Sequence, residues 1–91
     1  MAELKDTVGL MTSENYKERF VAEYLQTKIR YKKLRKFCNK ITASQITETD
    51  EPNHDCPLFL LEKQLSAMAE YLNLLELRAI VEQIDLENTP I

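Results

Sequence analysis

Two stretches of the chain repeat their apolar residues at helical intervals. Phe20, Tyr24, Thr27, Tyr31, Leu34, Cys38 and Ile41 are spaced 4-3-4-3-4-3, with no Gly or Pro among them. That spacing sets them on one face of a helix. Thr12 or Ser13 is the expected N-cap, with Glu14 in the first turn where negative charge is favoured. The first predicted helix therefore covers about 13–41. Residues 42–56 are polar and rich in turn formers, and read as a loop. Pro57 follows, preorganised for a first helical position, with Cys56 or Asp55 as its cap. The second predicted helix covers 57–83. Residues 1–11 show no clear period and read as a flexible lead-in. Residues 85–91, with Asn88, Thr89 and Pro90, read as a frayed tail.

The second helix carries two apolar rows. Leu58, Leu61, Leu65, Met68, Leu72, Leu75 and Ala79 are spaced 3-4-3-4-3-4. Leu60, Gln64, Ala67, Tyr71, Leu74, Arg78 and Val81 form a neighbouring row, spaced 4-3-4-3-4-3 and mostly apolar. Adjacent rows lie about 100° apart, so one partner helix covers the first and not both. Two helices of this size also make a small core. Each buried large aliphatic contributes about 1.5–3 kcal/mol against the ordering cost of the whole domain. The pattern thus predicts an all-α fold: one domain, 12–84, an antiparallel helical hairpin of two long helices that assembles into an oligomeric helical bundle. Leu60, Ala67, Tyr71, Leu74 and Val81 are the expected oligomer interface. The competing expectation is a monomer whose lead-in covers the second row.

Composition narrows the classes. With one Gly and three Pro in 91 residues, the chain lacks the turn punctuation that a sandwich or barrel needs. The apolar run Leu58-Phe59-Leu60-Leu61 is far too short to span a bilayer. Residues 1–10 contain Glu3 and Asp6 and no secretory apolar core, so a reducing cytoplasm and free thiols are expected for Cys38 and Cys56. Charge is unevenly placed. Residues 1–47 hold ten basic and five acidic side chains, residues 48–91 two basic and ten acidic. Lys28, Arg30, Lys32, Lys33, Arg35, Lys36 and Lys40 crowd into thirteen residues. This run suits an anion site, or a basic helix lying beside an acidic one.

Catalytic chemistry finds little footing. The single His54 has no triad framework, and Glu62, Glu70 and Glu76 read as outward, solvating residues. No Cys-x-x-Cys or His-x-x-x-His pair is present, so no metal site and no cofactor are expected. Cys38 falls on the apolar row and reads as core. Cys56, before the second helix, reads as a thiol of some reactivity. More informative are Lys17, Val21, Tyr24, Lys28, Tyr31 and Arg35, spaced 4-3-4-3-4, which alternate aromatic rings and cations on one stripe. A ring offers a face to a base, and a cation neutralises a phosphate. Arg35 adds a bidentate donor. The alternative is half-buried tyrosines with cations snorkelling beside them. Arg78, a cation within an apolar row, is expected to pair with an acid of a partner helix or to reach a pocket between subunits. The candidate ligand-binding residues are Tyr24, Lys28, Arg30, Tyr31, Arg35 and Arg78.

Two stretches carry a family resemblance. One is Tyr16-Lys17-Glu18-Arg19-Phe20-Val21-Ala22-Glu23-Tyr24 with Lys33-Leu34 and Phe37. The other is Cys56-Pro57-Leu58, Leu61, Gln64-Leu65, Met68, Tyr71-Leu72 and Leu75-Glu76-Leu77-Arg78-Ala79. Over roughly 12–84 the chain resembles small helical proteins encoded by bacteriophages of Firmicutes and by crAss-like phages. The resemblance implies a phage product in the cytoplasm of the infected bacterial host, and carries over no site residues. Small non-enzymatic phage proteins often inhibit host defence, and some are helical oligomers that enclose cyclic nucleotides.

The function expected is therefore a sponge that sequesters a cyclic nucleotide-type immune signal, with copies of itself as partners. Alternatives are an anti-CRISPR-like inhibitor that binds a host defence nuclease through the acidic half, and a phage structural or assembly factor. No membrane partner is expected, and a pI near 5.2 argues against nucleic acid.

Overall fold

The computed structural model describes residues 3–86, and all of its regular structure is helical. A 3-10 turn, Leu4–Thr7, leads into a single-turn helix α1, Val8–Met11. Helix α2 spans Tyr16–Thr47 and helix α3 spans Leu58–Glu82.

The caps explain where the boundaries depart from the pattern. Helix α2 starts later than expected because Asn15, not Thr12 or Ser13, is its N-cap. The Asn15 Oδ1 accepts from the Lys17 backbone N–H at 2.9 Å. It also continues past Ile41 to Thr47. Nothing in 42–47 breaks a helix, and the Ser44 and Thr47 hydroxyls donate to the Lys40 and Ala43 carbonyls four residues back. It stops where Glu48 turns left-handed at φ 56°, and the Thr49 N–H closes on the Ser44 carbonyl. The connection is therefore 48–57, shorter than the expected 42–56. Pro57 is itself the N-cap of α3 rather than its first helical residue, and its carbonyl accepts from Leu60 and Leu61. Helix α3 ends at a second left-handed residue, Gln83, φ 58°. The Ile84 N–H then returns to the Ala79 carbonyl at 2.8 Å and folds Ile84 back onto the core.

The expected flexible lead-in is instead helical at Leu4–Met11 and packed on α2. Thr7 is fully buried. Its hydroxyl donates to the Leu4 carbonyl at 2.6 Å and accepts from Gln26 Nε2 at 2.8 Å. Gln26 also reaches Met11 Sδ at 3.2 Å. Ala22 lies roughly 200° around α2 from Phe20, yet it is 1% exposed. The lead-in occupies that second side of α2. Of the expected tail, Asp85 and Leu86 are described, and Asn88, Thr89 and Pro90 lie outside the described residues.

Helices α2 and α3 pack side by side in opposite senses. Phe20 meets Arg78, Tyr24 meets Glu76, and Cys38 feels Glu62, so positions fall along α3 as they rise along α2. Both predicted facing rows are at the seam. Phe20, Tyr24, Cys38 and Ile41 of α2 are buried, as are Leu72, Leu75 and Ala79 of α3, while the other members of each row are half-buried. The second row of α3 is exposed at every position, including Leu60, Ala67, Tyr71, Leu74 and Val81. Among the described residues, Leu4–Met11 lies along α2 and its backbone does not approach α3, and the second row stays exposed.

Candidate functional site

At the end of the seam where α2 begins and α3 finishes, a cavity of about 750 Å³ opens to the surface. Its floor comes from α2 as Tyr24, Leu25 and Lys28. One wall is Glu76, Ala79 and Ile80 of α3, and the other is Ile84, Asp85 and Leu86 beyond the Gln83 turn. The turn therefore does two things: it ends α3, and it supplies one side of the cavity.

Tyr24 sits at the centre of this region. It is 6% exposed, and its hydroxyl donates to Glu76 Oε2 at 3.0 Å across the seam. The Lys28 ammonium lies 5.5 Å from the centre of the Tyr24 ring. One heptad further along α2, the Arg35 guanidinium lies 5.6 Å from the centre of the Tyr31 ring. The structure thus reproduces the alternating stripe as two ring–cation pairs about 10 Å apart along the helix. Tyr24 and Lys28 line the cavity, whereas Tyr31 and Arg35 lie beyond its lining. Tyr31 packs partly against the core, and Arg35 is exposed.

The remaining candidates go elsewhere. Arg30 is exposed and roughly 200° around α2 from Lys28, away from the cavity. Arg78 is engaged within its own chain. Its Nε donates to Glu82 Oε2 at 2.7 Å, and its guanidinium carbon lies 4.8 Å from the centre of the Phe20 ring. Arg78 thereby holds the Glu82 carboxyl below the usual carboxylate range. A hydrogen bond to the Glu23 carboxylate holds the phenol of Tyr71, beside Arg78, above its ordinary pKa.

Glu76 was expected to face outward; the structure instead joins it to Tyr24. Its signal was its register. Glu76 stands four residues after Leu72 and three before Ala79, at the margin of the buried row. Asp85 carried no such signal, because its position depends on the reversal at Gln83.

The loop at the far end holds His54. Its Nδ1 bonds the Cys56 carbonyl at 2.7 Å, its Nε2 lies 3.3 Å from Glu51 Oε2, and its ring meets Phe37 of α2 edge-on at 6.3 Å. The Cys56 carbonyl first, then the Glu51 carboxylate, raise the His54 pKa. Hydrogen bonds from Gln45 and His54 lower that of Glu51. Cys38 is buried, and desolvation pushes its thiol pKa up. Among the described residues no three His, Cys, Asp or Glu side chains gather as a metal site. Nor is any described helix long and apolar enough to cross a membrane.

Residues 14–80 match the family model of Sequestin. No curated protein and no solved structure matches the chain.

Proposed function

The chain belongs to the Sequestin family, and from that premise we propose that it is a non-enzymatic sponge for a cyclic nucleotide-type immune signal. In this reading a bacteriophage makes it, and it acts in the cytoplasm of the infected host. The family's name speaks of sequestration, and the observation that carries the reading to this chain is the cavity beside Tyr24. Its volume of about 750 Å³ falls within the range of small-molecule sites, roughly 300–1,000 Å³. Its walls combine apolar surface with a cation and two carboxylates, which suits a ligand that is part flat ring and part polar.

Sequestration asks for tight binding and slow release, so a pocket held between rigid helices suffices. Lys28 supplies a phosphate contact at the cavity. Arg35 beside the half-buried Tyr31 supplies a second, with the Tyr31 ring as a stacking face. Arg30, on the other side of α2, and Arg78, paired with Glu82, stand outside the cavity. The antiparallel hairpin assembles with copies of itself through Leu60, Ala67, Tyr71, Leu74 and Val81, the row its own fold leaves exposed.

Calorimetric titration with cyclic dinucleotides and cyclic ADP-ribose isomers tests the proposal. It predicts saturable heat with at least one of them and recovery of that compound unaltered. No heat with any of them rejects it. The exposed α3 row also favours a second reading, an inhibitor that binds a host defence protein. Capture of one such protein, together with an absence of small-molecule binding, would establish that reading instead.

A further inference from the structure

We infer that the cavity beside Tyr24 is a sugar subsite, in which Glu76 accepts hydrogen bonds from free ribose hydroxyls while Lys28 meets the adjoining phosphate. This rests on the nucleotide reading above and specifies which part of the nucleotide enters the cavity.

Tyr24 cannot serve there as a stacking platform. It is 6% exposed, and the Lys28 ammonium already faces its ring. What it does is orient Glu76: its hydroxyl donates to one carboxylate oxygen at 3.0 Å. An ionised carboxylate accepts at about four positions, so one hydrogen bond fixes the group and leaves it able to accept more. Asp85 places a second carboxylate on the lining. Among the described lining residues Glu76 and Asp85 are acidic and Lys28 is basic. A phosphate set against the Glu76 carboxylate would be repelled, because like charges at close range disfavour one another. Neutral hydroxyl donors meet no such penalty at Glu76.

The exposed Ile80, beside the buried Ala79 and Ile84, offers an apolar surface for a flat base. Apolar surface, carboxylate and ammonium thus match base, sugar hydroxyls and phosphate, the successive parts of one nucleotide. The phosphate stays at the partly exposed Lys28, with Arg35 further along the same stripe of α2.

The test is an amide NMR titration of the full chain with adenosine 5′-monophosphate and with its 2′,3′-dideoxy counterpart. The ribonucleotide should shift the amides of Ile80 to Leu86 and bind at least about tenfold more tightly than the dideoxynucleotide, as loss of hydrogen bonds to a charged group implies. In Glu76→Gln the ratio should fall toward one while the remaining spectrum is preserved. Equal affinities in the unaltered protein would overturn the sugar subsite and leave the nucleotide reading standing. So would shifts confined to Tyr31 and Arg35. Shifts with neither nucleotide would also overturn the subsite, and the nucleotide reading would then stand or fall by the calorimetric titration with the cyclic compounds.

Discussion

Most of what positions this site is done by single polar residues on a mainly apolar seam. Tyr24 and Glu76 tie α2 to α3 beside the cavity. Gln26 and Thr7 tie the lead-in to the opposite side of α2. His54 organises the loop, and its role is pH-dependent. Protonated, the ring donates to both the Cys56 carbonyl and the Glu51 carboxylate. Neutral, it keeps one N–H and turns a lone pair toward Glu51 or the carbonyl. Because its folded pKa is raised above 6.5, its contribution is complete below that value and is lost as pH rises through the raised pKa. Glu51, whose pKa is lowered from 4.5, contributes above that value and loses its contribution on acidification. Thermal melts should therefore show His54→Gln trailing the unaltered protein most between about pH 5 and 6, with the gap closing toward pH 9. A gap that does not change with pH would show that the ring acts by packing on Phe37 alone.

At the scale of elements, α3 is a helix with two apolar rows and one intramolecular partner. It is about 38 Å long, and it keeps Phe59, Leu60, Leu74, Leu77, Ile80 and Val81 between 49% and 76% exposed. Exposed apolar residues in that number on one helix fit the interaction surface proposed above. The double variant Leu74→Glu, Val81→Glu should stay within about 0.5 kcal/mol of the original stability, since both positions are exposed. Its sedimentation should nevertheless be that of a single chain. Sedimentation identical to the unaltered protein would show that this row does not hold copies together.

The two rows, and the seam beneath the first, were legible from spacing alone because burial against one neighbour selects one helical face. The lead-in was not. Its anchoring depends on a buried Thr7 meeting a Gln26 nineteen residues away, and periodicity carries no trace of such a polar pair. Of the site, Tyr24 and Lys28 were readable as a stripe. Glu76 was readable only from its register beside the row, and Asp85 only from the turn at Gln83.

The molecule as a whole is elongated. It measures 49 × 25 × 20 Å, with a radius of gyration of 15.9 Å against about 12 Å for a compact chain of this length. Its accessible surface is 6731 Å², where a folded monomer of this mass has about 5,500 Å². Surplus surface, an uncovered α3 row and a cavity at one end are the features on which the proposed self-association and small-molecule binding rest. Native mass spectrometry of the protein purified from cells producing the immune signal addresses both at once. The account predicts an integer multiple of the 10.7 kDa chain carrying a retained nucleotide that is released unchanged on unfolding. A bare single chain, with the signal present in those cells and left unbound, would contradict it.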